Sequence, residues 1–290
     1  MNSGWVILDK DSGLFSRTAG GRIARLFGTR KFGHIGTLDP MASGVLPIAI
    51  GGATKIIPFI EETAANIKEY LFDIEFGYET DTLDICGKTL RCDNVVPARE
   101  TVLAALPSFI GEISQIPPRF SAVHVNGQRA YDLARAGRDI EIPSRRVSVF
   151  SLDLIGVDEK TWHFRMRCSR GTYVRSIARD IAAHCGAMAT VTMIRRTLSS
   201  GFEIKNTLKL DFLENLVNNG ADISKYLMPS DFGLGDIPVL GLDNKSAGFY
   251  KNGGFITTDV ADGQYRVYSG NVFIGIGRVF DNKLHPVRTI

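Results

Sequence analysis

Gly33-His34-Ile35-Gly36-Thr37-Leu38-Asp39-Pro40 is the stretch on which the reading of this chain turns, and it runs on into Gly44-Val45-Leu46-Pro47-Ile48 with Thr54-Lys55 just beyond. Glycines at 33 and 36 admit positive φ and let another backbone approach with no Cβ in the way. Pro40 pushes Asp39 towards an extended conformation, so its carboxylate stands on a bent, stiff segment and not in a helix. An isolated Leu-Asp-Pro is ordinarily just a turn. A turn does not require a histidine five positions before the aspartate, between two glycines, and that spacing points to a catalytic loop with Asp39 as its reacting group.

Working outward, charge is clustered although the net value is only +3. Arg17, Arg22, Arg25, Arg30 and Lys31 occur between Ser12 and Leu38 with no acidic residue among them, and Lys160, Arg165, Arg167, Arg170, Arg175 and Arg179 form a second such run. From Glu61 to Glu100 the balance reverses, with ten acidic residues against four basic. One side of the protein is therefore expected to be positive, as phosphate neutralisation requires. The 290 residues and 44% hydrophobic content suit about two domains with a sizeable core. Cys86, Cys92, Cys168 and Cys185 include no C-x-x-C pair and the five histidines show no ligand spacing, so no metal and no cofactor is expected. From Met1 the chain reaches Asp9, Lys10 and Asp11 before an apolar run can form; neither a signal peptide nor a membrane span is expected, and the cytoplasm is the expected compartment.

The pattern predicts a strand at Trp5 to Leu8 and a helix over residues 17 to 27 stopped by Gly28. Tyr70, Phe72, Ile74 and Phe76 alternate with Glu69, Asp73 and Glu75, which makes a strand with one wet face. A helix is expected from Arg99 to Ile110, a strand through Trp162, Phe164, Met166 and Cys168, a helix from Thr172 to Cys185 and a strand from Met188 to Ile194. These add up to an α+β fold with a mixed, largely antiparallel central sheet flanked by helices. Ile116 to Val147 fits no single element; it holds Pro117-Pro118, the turn Asn126-Gly127 and a helix-like Ala130 to Ala136, with six arginines against three acids. An excursion of that kind is usually a lid or binding loop. The last 65 residues carry ten glycines and short β-like runs at Gln264 to Tyr268 and Asn271 to Phe280, which predicts a small β-rich domain.

Gly33 to Pro40 resembles the signature G-H-x-G-T-L-D-P of the bacterial TruB-type tRNA pseudouridine synthases. Lys68-Glu69-Tyr70 with Gly77 and Thr80-Asp81-Thr82-Leu83-Asp84 is similar to that family's second motif, and Ser169 to Asp180, with Gly171-Thr172-Tyr173-Val174-Arg175, to its third. Gln115 to Ala122, with Gly127, Arg129, Tyr131 and Arg135, resembles the thumb that clamps the T-arm of tRNA. The chain departs from the pattern at Asp11, Phe15, Phe120, His124 and Arg170. The resemblance implies a catalytic domain at 1–225 with the thumb at about 116–146, and a PUA-like RNA-binding domain at 226–290. It further implies action on the T-loop uridine at position 55 of tRNA, by a monomer needing no protein partner or guide RNA.

By the same resemblance Asp39, Tyr70 and Arg175 are the catalytic set. His34 occupies the gap left by a flipped base, and Tyr173 and Ile194 line the base pocket. Gly36, Thr37, Leu38 and Lys10 contact substrate, while Arg119, Arg129 and Arg135 serve the thumb. The reaction breaks C1′–N1, turns the base and joins C1′ to C5, which needs an extruded nucleotide. Asp39 either attacks C1′ to give an ester or removes a C2′ proton to give a glycal; both routes need an ionised carboxylate, and a guanidinium beside it favours that form. Two other classes use part of the same pattern. They are an RNA-binding factor without turnover, and an N-glycoside hydrolase with Asp84 or Asp180 as proton donor.

Overall fold

Val6 and Leu8 of the first strand, Gly4–Lys10, enter one apolar cluster while Trp5 and Ile7 enter another, so this strand is covered on both faces and reads as an unbroken buried run. The computed structural model describes residues 2–63, 66–125, 127–138 and 141–290; of the turn expected at Asn126-Gly127, Asn126 lies outside these. Around that strand is built a sheet in the order Gly4–Lys10, Ser43–Ile50, Ala189–Ser199, Ile67–Phe76, Thr161–Ser169, Arg145–Asp158, Gly111–Gln115. Every neighbouring pair is antiparallel except Ser43–Ile50 with Ala189–Ser199. Helices Ser16–Leu26, Val174–His184 and Leu210–Asn218 contribute to the larger cluster, so the fold is the expected α+β arrangement.

The strand Ile67–Phe76 buries alternate residues along its whole length, as its sequence pattern predicts. The helix expected from Arg99 to Ile110 is shorter, Arg99–Ala105, and continues as a 3₁₀ turn over Leu106–Phe109 because Pro107 has no N–H to give.

Strand Ser43–Ile50 changes partners along its length, and this is what positions the site. Ser43 and Gly44 pair with Arg195 and Arg196, whereas Ile48 to Ile50 pair with the short strand Phe32–His34. Pro47, which lacks a ladder donor, sits between the two pairings; its carbonyl accepts from Ile35 N at 3.1 Å. The sheet thus forks at Ser43–Ile50, and the loop from Ile35 to Ala42 leaves through the fork.

A second sheet follows, in the order Val239–Leu242, Gly263–Ser269, Val272–Phe280, Lys283–Thr289, Ile256–Thr257, with helix Asn244–Lys251 against it. It meets the first sheet through a cluster that joins Trp5, Phe202, Leu234 and Ile276, and Trp5 Nε1 donates to Ser230 O at 2.9 Å.

Candidate active site

The loop leaving the fork is fixed at three points. Gly36 adopts φ of +64°, and a Cβ there would stand 3.0 Å from both Arg196 Nη1 and Lys68 Nζ, so the backbone passes directly over two cations. The buried Ser16 hydroxyl lies 3.0 Å from both N and O of Leu38, and Leu38 itself is buried in the core. Lys10 donates to the carbonyls of Asp11 (2.9 Å), Leu14 (2.7 Å) and Pro40 (3.2 Å). The sequence suggests Lys10 as a substrate contact; it is instead fully buried, with its ammonium engaged by three carbonyls, and burial pushes that ammonium down to about 8. Its part is to hold Pro40, and through it the neighbouring Asp39.

Asp39 is left with its side chain 34% exposed at the mouth of this loop. Facing it is Arg175, near the start of helix Val174–His184 and with a side chain only 3% exposed. Arg175 Nη2 lies 2.7 Å from Asp39 Oδ2 and 3.0 Å from Phe120 O, and Nη1 lies 2.8 Å from Thr82 O and 3.7 Å from Asp84 Oδ2. Leu83 has φ of 64°, a conformation rarely adopted by a residue with a side chain, between the Thr82 carbonyl and the Asp84 carboxylate. The guanidinium is therefore held from several sides while the carboxylate it pairs with faces outward. That arrangement can keep an anion aimed at an incoming sugar.

Tyr70 is buried on Ile67–Phe76, and burial pushes its phenol up to about 12. Ile194 lies on the adjoining strand, opposite Phe72, and belongs to the core. His34 Nε2 is 3.2 Å from Thr37 Oγ1, and burial, with Arg196 and Arg17, lowers its pKa, which favours the neutral ring. Tyr173 is clamped by Gln115, whose Oε1 accepts from Tyr173 N at 2.8 Å and whose Nε2 donates to Tyr173 O at 3.1 Å; the Arg145 guanidinium stacks 4.6 Å from its ring centroid. In the thumb Arg129 and Arg135 flank the Tyr131 ring at 5.9 and 5.6 Å, and Arg119 donates to Arg138 O at 3.1 Å. Those three arginines are exposed.

A family model described as TruB family pseudouridylate synthase, N-terminal domain, matches residues 24–174, and one for the C-terminal region of pseudouridine synthase II TruB matches residues 238–290. The chain belongs to the TruB family. It is a pseudouridine synthase. A tRNA pseudouridine synthase B of Ehrlichia chaffeensis is 40% identical over 294 residues, covering 98% of each chain, and one of Caulobacter vibrioides is 46% identical over 246 residues, 84% of this chain and 78% of that one. In solved structures the fold is shared with a chain of a Cbf5-Nop10-Gar1 complex, with a TM-score of 0.71 at 21% identity, covering 100% of this chain and 84% of that one.

Four residues of this TruB-family site are given no role by the sequence: Lys68 and Gln115, which lie within quoted motifs, and Arg145 and Arg196, which lie in none. The signal for Arg196 lies in the strand pattern. Ile194 reads as core, and a residue two positions on shares its face; Arg196 is accordingly fully buried. Gln115 and Arg145 act on Tyr173 from distant segments, which no local pattern encodes.

Proposed function

We propose that this chain converts the T-loop uridine at position 55 of tRNA to pseudouridine, as a monomer and without guide RNA or protein partner. A tRNA substrate puts that work in the cytoplasm. The observation that carries the reading is the 2.7 Å pair between a half-exposed Asp39 and a buried Arg175, on the Gly33 to Pro40 loop, in a chain of this family. Residues 1–225 hold the chemistry with 116–146 as thumb, and 226–290 supply a PUA-like second RNA contact.

In this reading the uridine is flipped into the cleft and His34 fills its place in the stack. A neutral imidazole suits that role, since it can sit among stacked bases without the cost of burying a charge. Asp39, its carboxylate paired with the Arg175 guanidinium, acts at the ribose as nucleophile or as base towards C2′. Tyr173 and Ile194 line the base pocket, and Tyr70 handles the C5 proton after C1′ and C5 have joined. Gly36, Thr37 and Leu38 supply the close backbone approach, and Arg119, Arg129 and Arg135 neutralise phosphates.

Asp84 argues against N-glycoside hydrolysis. Its Oδ1 accepts from Thr82 Oγ1 at 2.7 Å and from Cys86 N at 3.0 Å, so it is committed to the loop and not poised as a proton donor. Asp180, the other candidate, pairs with Arg179 at 2.8 Å. Incubation with unmodified tRNA, followed by site-by-site mapping of pseudouridine, tests the proposal. Pseudouridine at position 55 with no free uracil is expected; free uracil, or an unmodified position 55, overturns it.

A further inference from the structure

Arg196 is the largest charged side chain in the interior and has no exposed surface. Among the described residues it forms no salt bridge. A guanidinium buried without a carboxylate is costly and persists only where other groups compensate. Here Nε donates to Val45 O at 2.8 Å and Nη2 to Gly36 O at 2.9 Å, with Ile35 O at 3.5 Å. The side chain thus fills the fork where Ser43–Ile50 changes partners, and it ties the loop to the sheet. Nη1 makes no hydrogen bond of ordinary geometry, although it points under Gly36. Arg196 stands directly opposite Tyr70 in the strand register, where side chains on one face lie within contact, and its charge acts on the Tyr70 hydroxyl. The other cation under the loop, Lys68, is already engaged with Ser199 Oγ at 3.3 Å and Asn66 Oδ1 at 3.5 Å.

We infer that Arg196 is a positioning residue for the isomerisation: it fixes the Tyr70 hydroxyl relative to the Asp39 loop and stabilises the negative charge that oxygen carries until it takes the C5 proton. This rests on the reading of Tyr70 given above. Once C5 is joined to C1′ it still bears its hydrogen, and N1 is doubly bonded to C6. Tyr70 gives its phenolic proton to water and takes the C5 hydrogen as a proton in its place; the C5–H electron pair closes C5=C6, the N1=C6 pair moves onto N1, and N1 takes the proton that Tyr70 gave to water. Tyr70 thus ends as the phenol it began as. Burial opposes the phenolate most, with Cys168 and Asp39 adding to it, and Arg196 is the influence acting the other way. Arg196 touches no substrate in this scheme. It acts through Tyr70 and Gly36.

The test is single-turnover conversion of a T-arm hairpin carrying uridine or 5-deuterouridine at the target, with wild type, Arg196→Gln and Arg196→Lys, and a thermal melt of each protein. Arg196→Gln is expected to slow conversion by about 100-fold, within the range for loss of proton-transfer assistance, and to make the deuterated hairpin slower than the protiated one. Arg196→Lys, which keeps the charge, recovers part of the rate. A folded variant that slows both hairpins equally overturns the inference, because a merely structural role leaves the isotope ratio unchanged. Should Arg196→Gln not fold, the isotope ratio of Arg196→Lys decides in the same way. Wild type that forms no pseudouridine sinks the proposed function itself, whereas active wild type with an unmoved isotope ratio in the variants sinks only this assignment.

Discussion

The cations under the Asp39 loop and those of the thumb do opposite jobs with the same residue types. Lys10, Lys68, Arg175 and Arg196 are buried and commit most of their donors to backbone carbonyls or neighbouring hydroxyls. Arg119, Arg129 and Arg135 are exposed, and two of them lie loosely against one tyrosine ring. A buried donor cannot be redirected without leaving a carbonyl unsatisfied, so the first group fixes geometry. An exposed arginine can follow a phosphate wherever it lies, so the second contributes affinity and little precision.

If the contrast is sound, the largest effects come from the buried pair. Asp39→Asn is expected to abolish turnover while tRNA affinity stays within a few-fold, as read by single-turnover kinetics beside filter binding; retained activity would remove the central assignment. Arg175→Lys keeps the charge but loses the planar fork that reaches Asp39, Thr82 and Phe120 together. A displacement of the carboxylate by an ångström or so then costs about 100-fold in rate. A lysine variant as fast as wild type would mean that charge alone suffices.

The thumb arginines should show the reverse signature and a smaller effect. Arg129→Ala and Arg135→Ala are expected to raise Kd several-fold with single-turnover rate at saturation unchanged. Each phosphate left without its guanidinium should also reduce the slope of log affinity against log salt by about 0.7 to 0.9. A fall in saturated rate with an unchanged salt slope would place these residues on the chemical side of the comparison.

How much of this can be read from the chain follows the same division. Strand Ile67–Phe76 is legible because one face is wet, and the Asp39 loop because its glycines and proline are local signals. Strand Ser43–Ile50 does not announce itself as a strand: it is buried on nearly every residue and carries Pro47, which normally argues against a central position. Arg145–Asp158 escapes the sequence pattern because register shifts near Val149 and Leu154 break the phase of its alternation. Helix Asn244–Lys251 is hidden among glycines, although its cap is plain in the structure, with Asp243 Oδ1 accepting from Lys245 N and Ser246 N at 2.8 Å. The pairing of Asp39 with Arg175 has no local signal and is implied only by the family resemblance. Lys10 is assigned to substrate by the family resemblance alone, while its burial is a property of the finished fold.

Lys68 offers the smallest and sharpest break. Burial pushes its ammonium down to about 7, with Arg196 from the adjoining strand adding to the shift and Cys168 and Glu61 opposing it; Arg170 also faces it, and Gly36 lies over it. An unfolded lysine holds its proton to about 10.4. Between about 7 and that value the unfolded chain binds more protons than the folded one, so this residue makes stability rise with pH across the window. Lys10, pushed down to about 8, adds in the same direction over the upper part of it. Lys68→Met should therefore flatten, without abolishing, the gain in Tm between about pH 7 and pH 9.5. A variant whose Tm tracks that of wild type at every pH would mean that the folded lysine stays charged, and that a buried cation under this loop is tolerated as readily as an exposed one in the thumb.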